Sequence, residues 1–325
     1  MLASTIVQAL ASMPCPGLAI EASMAASAPK LKYTAVTGFF KHSDEPAIPS
    51  FESVTLPGLG LIDRAYETDD TFDPRREKQP WERFVHYLGH LNSPGAAADK
   101  AVAYKLIYAA RHGEGYHNVM EAKVGTVEWE AHWARLDDDG TTTWSDASLT
   151  PTGIREARAI QVFWADAASS FKLPLAPRHY VSPLARCLET CELAFMGLAV
   201  PDAPVPPFKP IIKELVRERL GVHTCDRRRS RTWIAENHPL FAFEDGFAEA
   251  DEMWNPDVRE TLEEHAVRVE RFLDDLFAND RDSDIVSLTA HSGTILALYF
   301  AIGHPEVRLA PGTVVPVLIK AEVVE

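Results

Sequence analysis

The sequence predicts an α/β protein, a three-layer α/β/α sandwich with a mostly parallel central sheet and added cap segments. Short apolar runs, which are typical of buried strands, alternate with segments whose apolar residues recur at helical spacing. Strands that alternate with helices favour a parallel sheet with helices on both faces. Two of the apolar runs also end in glycine-containing turns that lead into a helical segment.

The apolar runs place the predicted strands along the chain. The first is residues 105–110 (KLIYAA), the second residues 179–182, the third residues 285–290 (IVSLTA), and the last residues 314–323. Because these runs are apolar without clear alternation, they indicate strands that are buried on both faces of the sheet.

Helical spacing and capping residues place the predicted helices. Pro80 opens one helix, and Thr150 followed by Pro151 opens another, because a hydroxyl N-cap and a proline in the first turn both favour a helix start. Further helices follow the second strand, cover residues 260–278 and follow the third strand over residues 294–301. The apolar faces consist of Trp81, Phe84, Leu88 and Leu91, of Ile154, Ala157, Ile160, Trp164 and Ala167, of Leu184, Leu188, Cys191 and Phe195, and of Leu262, Ala266, Val269, Leu273 and Leu276.

The chain of 325 residues divides into one compact domain and two N-terminal additions. Residues 1–30 are rich in alanine and serine and predict a disordered tail or a signal segment. Residues 31–99 predict an N-terminal extension packed on the core, irregular over residues 31–79, and residues 100–325 predict the compact domain. The lack of glycosylation sequons and of paired-looking cysteines favours a cytoplasmic protein, with secretion as the alternative if the first 28 residues are a signal peptide.

The net charge and the cysteine pattern exclude several classes of function. The formal net charge is −15, so the chain as a whole repels polyanions, and neither nucleic acid nor an anionic membrane is an expected partner. The four cysteines match no zinc-binding pattern, and no metal or other cofactor is expected. The sequence leaves the oligomeric state open.

Charged residues and glycines follow three of the predicted strands, at the points where those strands end. These strand-end motifs are residues 111–114 (RHGE), residues 182–186 (SPLAR) and residues 291–293 (HSG). Because the carboxyl ends of parallel strands meet at one edge of a sheet, we expect the motifs to converge. Helix N-termini offer unpaired N–H groups to an anion, and arginine grips phosphate oxygens with two hydrogen bonds. The pattern therefore indicates a phosphate pocket that is suited to phosphoryl transfer.

The ordered set of motifs resembles the histidine phosphatase superfamily, the phosphoglycerate mutase-like proteins. The resemblance rests on the three strand-end motifs, on Asn118 and Thr190, and on the helix opening at residues 149–153 (LTPTG), all in the family's order within residues 104–321. The RHGE form is similar to the mutase branch of the family, and the additional segments resemble those of fungal phosphomutase-like proteins. The family implies a small phosphorylated molecule as the substrate.

The resemblance also implies a role for each matching residue. His112 would be the nucleophile that forms a phosphohistidine. Glu218, within residues 216–221 (VRERLG), would protonate the leaving oxygen and then activate water, and Glu214 is the alternative acid. The other expected catalytic residues are Arg111, Arg186 and His291, and the other expected substrate contacts are Asn118, Gly113, Glu114 and Ser292.

Two segments extend the minimal family core, residues 119–149 and residues 222–256, which we call the cap. They carry several tryptophans and the run at residues 227–231 (RRRSR). One interpretation is a substrate cap with aromatic walls and a basic rim for a larger anionic substrate. The other is a solvated helix start packed by tryptophans. His117 and His223 are further histidines near the motifs, and either a structural or a functional role fits them.

These observations predict a metal-independent phosphomonoester phosphatase that acts through a phosphohistidine intermediate. A phosphoglycerate mutase-type phosphomutase is the first alternative, since it needs the same motifs but must shield the phosphohistidine from water and rebind an isomer. An inactive phosphate-binding or scaffold protein is the second alternative. The sequence leaves the identity of the substrate open.

Overall fold

The computed structural model of the protein describes residues 30–44, 53–93, 102–201 and 204–324, so all but one residue of the predicted tail or signal segment lies outside the described residues. The strands of the described part are β1 Leu31–Ala35, β2 Val102–Arg111, β3 Arg178–Val181, β4 Ile211–Ile212, β5 Ala242–Phe243, β6 Ile285–Ala290 and β7 Val314–Val323. They form one sheet in the order β1-β7-β2-β6-β3-β4-β5. β2, β6, β3, β4 and β5 run parallel, whereas β7 is antiparallel to both of its neighbours, β2 and β1.

Helices cover both faces of this sheet. The helices of the described part are α1 Lys41–Asp44, α2 Asp69–Phe72, α3 Pro80–Leu91, α4 Tyr116–Val124, α5 Thr126–Ala131, α6 Pro151–Ser170, α7 Ala185–Phe195, α8 Arg231–Asn237, α9 Leu262–Asn279 and α10 Ser292–Ile302. α3, α6 and α7 pack on one face, and α9 and α10 pack on the other. The predicted three-layer α/β/α fold is confirmed. No described helix combines the length and the apolarity that crossing a bilayer requires.

β2 shows why the strand runs are apolar throughout. Leu106 and Tyr108 belong to the hydrophobic cluster that includes α6 and α7, whereas Ile107 and Ala109 belong to the cluster that includes α9 and α10. Successive side chains of a strand point to opposite faces, so a central strand between two helical layers buries all of them. All four residues are completely buried.

The N-terminal extension contributes to both the sheet and the core. Its α3 buries Trp81 and Phe84, whose rings pack against each other, and the Trp81 ring also lies 6.2 Å from that of Tyr108 in β2. β1 adds an edge strand to β7, with Leu31 opposite Val323. The expectation of an irregular segment over residues 31–79 was therefore wrong for β1. A five-residue edge strand is specified by its partner more than by its own sequence.

The two cap segments pack against each other around a third hydrophobic cluster. The Thr224 hydroxyl donates to the Leu136 carbonyl at 2.5 Å, and the Asp146 N–H donates to the Thr224 carbonyl at 3.2 Å. The cluster consists of the buried residues Met120, Trp129, Ala134, Trp144, Ala147 and Cys225. The cap is therefore one packed unit assembled from two distant stretches of the chain.

Two arginines of the cap, Arg227 and Arg228, have hydrogen-bond acceptors within the protein. Arg228 is buried, its Nε donates to Glu214 at 2.5 Å, and its other nitrogens donate to backbone carbonyls. Arg227 donates to Asp137 at 2.7 Å. The predicted basic rim is wrong for Arg228, because a buried guanidinium must be surrounded by acceptors. The four arginines of residues 227–231 lie over aromatic rings, in the pairs Arg227–Trp254, Arg228–Phe247, Arg229–Trp233 and Arg231–Phe243.

Candidate active site

His112 follows directly from the end of β2 and is almost completely buried. Its backbone N–H donates to the Ala290 carbonyl at 3.0 Å, which joins the end of β2 to the end of β6. Its Nδ1 lies 2.7 Å from the carbonyl oxygen of Gly113. Because a carbonyl oxygen only accepts, Nδ1 carries the proton and Nε2 keeps its lone pair. This tautomer presents Nε2 as a nucleophile.

Arg186 places a cation beside that lone pair. It lies in the first turn of α7, and its side chain is buried. Its Nε–H donates to His112 Nε2 at 3.3 Å, while Nη1 donates to the Cys225 carbonyl at 2.6 Å and Nη2 donates to Asp226 Oδ1 at 2.9 Å. The cap therefore holds two nitrogens of the guanidinium, and the third faces the nucleophile.

His291 brings the third strand-end motif into the same cluster. It follows β6, its side chain is fully buried, and its ring centroid lies 5.1 Å from that of His112. Its Nε2 lies 2.8 Å from the Ser182 hydroxyl and 3.4 Å from Cys187 Sγ. Residues from three separate strand ends are thus brought together around the His112 ring, as expected where parallel strands end at one edge of a sheet.

Glu218 lies at the N-terminus of α10, next to the third motif. Its Oε2 accepts from the Gly293 N–H at 2.9 Å, and its Oε1 accepts from the Arg219 N–H at 2.9 Å. A side chain at position 293 would collide with the carboxylate, so glycine is required for this approach. Glu214, the alternative acid, instead accepts from Arg217 at 3.2 Å and from Arg228 within the cap. Glu218 is the one of the two that borders the strand-end cluster.

Gly113 is needed for a close backbone approach within the protein. A Cβ at this position would lie 2.5 Å from the carbonyl oxygen of Gly153 in α6. Its N–H donates to the Thr190 hydroxyl at 3.1 Å. Gly113 is an expected substrate contact, and in the structure its N–H is bonded to Thr190. The family position of Thr190 is explained by this contact.

The remaining predicted substrate contacts occupy the edges of the cluster. Glu114 accepts from the Thr150 hydroxyl at 2.6 Å, and Asn118 Oδ1 accepts from the Gly115 N–H at 3.0 Å. Both oxygens fix the loop after β2. Arg111 donates to the Leu309 carbonyl, and Ser292 is exposed at the start of α10.

Burial keeps the histidines of the site neutral. It lowers the pKa of His112, His117 and His291 well below the usual range, and the charge of Arg186 lowers each pKa further. His117, whose role the sequence left open, is the third imidazole, with its ring centroid 5.5 Å from that of His112. Its buried Nδ1 finds no hydrogen-bond partner among the described residues. A neutral His112 is the form that can attack phosphorus.

The lowered histidine pKa values predict a loss of stability in acid. Below about pH 6.5 the unfolded chain protonates these imidazoles, whereas the folded protein does not. The free energy of unfolding is therefore at its full value above that pH. Below it, the free energy of unfolding falls by about 1.4 kcal/mol per pH unit for each histidine. Urea unfolding measured between about pH 7.5 and about pH 5.5 gives this slope. His112→Gln is expected to reduce this slope by the contribution of one histidine, about 1.4 kcal/mol per pH unit. Equal stability at both ends of the range would contradict the prediction.

One group of potential metal ligands occurs in the described part of the chain, formed by His223, Cys225 and Asp226. Asp226 already accepts from the guanidinium groups of Arg186 and Arg259, each at 2.9 Å. Burial also raises the pKa of the Cys225 thiol, which disfavours the thiolate that a metal requires. Two adjacent cations and a protonated thiol make this group unsuited to a metal ion.

The match to a known family agrees with this geometry. The model of the histidine phosphatase superfamily (branch 1) matches residues 107–310, which include the three strand-end motifs and Glu218. The chain belongs to the histidine phosphatase superfamily. It is 44% identical over 298 residues to a protein of Arthroderma benhamiae named probable phosphoglycerate mutase, with 92% of this chain and 87% of that protein covered. It is 34% identical to phosphomutase-like protein 3 of Candida albicans, with 67% of this chain and 66% of that protein covered.

Solved structures include similar chains at lower sequence identity. A putative alpha-ribazole-5'-P phosphatase from Escherichia coli is 18% identical with a TM-score of 0.37, and the match covers 62% of this chain and 81% of that chain. The ecdysone phosphate phosphatase from Bombix mori is 19% identical with a TM-score of 0.38, and the match covers 61% of this chain and 76% of that chain.

Proposed function

We propose that the protein is a metal-independent phosphomonoester phosphatase that acts through a phosphohistidine at His112. One observation carries the proposal. The lone pair of His112 Nε2 lies in a buried cluster, 3.3 Å from the Nε–H of Arg186, so that a phosphoryl group bound there would meet a nucleophile and a cation together. Placing charge where it develops in the transition state is the main source of catalysis in phosphoryl transfer. The convergence of these side chains supports an enzyme over the scaffold alternative.

The reaction takes place in two displacements. His112 Nε2 attacks phosphorus in line with the ester bond, the N–P bond forms and the P–O bond breaks, and Glu218 in its protonated form gives its proton to the leaving oxygen. The Glu218 carboxylate then takes a proton from water, whose oxygen attacks phosphorus and breaks the N–P bond. Inorganic phosphate leaves, and both residues return to their starting forms. Arg186 and Arg111 would balance the charge on the other phosphate oxygens.

A phosphomutase is the second candidate, favoured by the names of the Arthroderma and Candida relatives. A phosphoglycerate carries a carboxylate besides its phosphate, and a mutase must bind both groups in two orientations. Two of the cap arginines that could bind a second anion already have partners, since Arg228 lies among Glu214 and backbone carbonyls and Arg227 pairs with Asp137. This use of the arginines supports hydrolysis of a monophosphate.

Product analysis with a phosphoglycerate tests this choice. With 3-phosphoglycerate and a bisphosphoglycerate primer, we expect free phosphate to accumulate faster than 2-phosphoglycerate, because Arg227 and Arg228 of the cap are paired within the protein and do not hold the isomer for rebinding. Phosphate release and isomer formation are measured in the same samples, beside an aryl phosphate as the reference substrate. Rapid isomerisation with little phosphate release would make the mutase the better assignment.

A further inference from the structure

Asp226 holds the guanidinium of Arg186 from the side opposite the nucleophile. It lies in the short helical turn Thr224–Asp226 of the cap, and 2% of its surface is exposed. Its Oδ1 accepts from Arg186 Nη2, and its Oδ2 accepts from Arg259 Nη1, both at 2.9 Å. The neighbouring Cys225 carbonyl accepts from Arg186 Nη1 at 2.6 Å. Together these contacts fix the plane of the Arg186 guanidinium.

These contacts determine which nitrogen of the Arg186 guanidinium faces His112. With Nη1 and Nη2 held by the cap, the Nε–H of Arg186 is directed at His112 Nε2. An arginine side chain that is free to rotate would lose rotamer entropy on binding phosphate. A guanidinium that is already fixed avoids most of this cost, which is the advantage of a preorganised site.

Arg259 connects the same carboxylate to the segment that carries Glu218. Its Nη1 also donates to the carbonyls of Arg219 at 2.6 Å and Gly221 at 2.8 Å. The next residue, Val222, has a φ of 61°, and the His223 N–H donates to the Gly221 carbonyl at 2.7 Å. This is a γ-turn with a β-branched residue in the left-handed region, a strained backbone that persists only where its surroundings fix it.

We propose that Asp226 is the positioning residue that fixes Arg186 for phosphoryl transfer, an inference that rests on the proposed function. Asp226 acts through Arg186, since its two carboxylate oxygens are occupied by guanidinium groups. Burial alone would raise the pKa of Asp226, but Arg259 and Arg186 lower it to about 2. The carboxylate therefore stays ionised at every pH at which the protein would be assayed.

Asp226→Asn tests this role, and Asp251→Asn is its matched control. Asp251 is also a cap carboxylate held by a buried arginine, since it accepts from Arg217 at 2.7 Å and 2.5 Å. Arg217 donates to the backbone carbonyl of Asp226 at 2.7 Å, but no contact joins it to Arg186 or His112 among those of the described residues. The two substitutions thus remove the same kind of ion pair, and only one of them involves the arginine beside the nucleophile.

Asp226→Asn is expected to lower kcat/KM about 10- to 100-fold, as removal of an orienting partner does in other sites. The loss should be equal for aryl and alkyl phosphates, because Arg186 acts on the phosphoryl oxygens and not on the leaving group. Calorimetry should show weaker binding of inorganic phosphate, by about tenfold. Asp251→Asn should lower the Tm but preserve both the phosphate affinity and the rate. In an Arg186→Lys background, Asp226→Asn should have little further effect on the rate.

Several outcomes would overturn the assignment. Unchanged phosphate affinity and rate in Asp226→Asn, with only a lower Tm, would make Asp226 a structural residue. A loss confined to alkyl phosphates would place its effect on Glu218 instead. If Asp226→Asn does not fold, Asp226→Glu keeps the charge and displaces the guanidinium, and an unchanged rate in that variant would equally refute the role. Failure of the wild type to form phosphohistidine, with phosphate binding still weakened by Asp226→Asn, would refute the proposed function alone.

Discussion

His112→Ala is expected to abolish the phosphoenzyme and to lower turnover by about 10⁴- to 10⁶-fold, the size of loss that follows removal of a covalent nucleophile. Nε2 of His112 is the unprotonated ring nitrogen beside Arg186, and alanine removes this attacking atom. Wild-type protein incubated with ³²P-labelled substrate and quenched in alkali should retain label that is stable to base and released by acid. The variant should retain none.

His179→Asn is the matched control for this experiment. His179 is another buried histidine, but it lies in β3 and its ring packs on Phe195, at a centroid distance of 4.3 Å. This variant should lose stability and keep the label. Label that persists in His112→Ala would show that another residue is the nucleophile, and His291 and His117 would be the next two histidines to replace.

Glu218→Gln should slow alkyl phosphates about 10²- to 10⁴-fold and leave aryl phosphates nearly unaffected. An alkoxide is a poor leaving group and needs a proton as the P–O bond breaks, whereas an activated aryl oxide leaves with little help. Glutamine fills the same space above Gly293 but cannot transfer a proton. The ratio of alkyl to aryl turnover in parallel assays measures the effect.

Two further variants separate the chemistry of Glu218 from its place in the fold. Gly293→Ala keeps the carboxylate but pushes it aside, because the added Cβ would collide with it, so the alkyl-to-aryl ratio should fall as in Glu218→Gln. Glu214→Gln removes an acceptor from Arg217 and Arg228 and should lower the Tm without changing the ratio. A selective loss of alkyl turnover in Glu214→Gln alone would assign the acid role to Glu214.

Local sequence signals were sufficient for most of the fold. The apolar run at residues 285–290 is β6, the run at residues 314–323 is β7, and the Thr150 cap begins α6 as predicted. These elements are long or carry their own capping residues, so short-range information specifies them. β4 and β5, with two residues each, were missed, because strands this short exist only through pairing with β3 and with each other.

For the candidate site too, some features were predicted from the sequence and others were not. The sequence placed His112, Arg186 and His291 at strand ends, and a parallel sheet brings strand ends together whatever the details of packing. It did not show that the Glu114 carboxylate would bond to Thr150 or that the Gly113 N–H would bond to Thr190. Each of these groups has several possible acceptors or donors, and only the folded structure selects one.

The sequence by itself determined the layered α/β fold, the family and the convergence of the strand-end motifs, because apolar periodicity, capping residues and motif order are properties of neighbouring residues. The tertiary structure alone decided the state of the cap arginines, the approach of Glu218 to Gly293 and the grip of Asp226 on Arg186. The last two contacts join residues 75 and 40 positions apart in the chain. Whether a charged side chain faces solvent, substrate or a buried partner depends on which distant segments pack around it, and no local pattern encodes that choice.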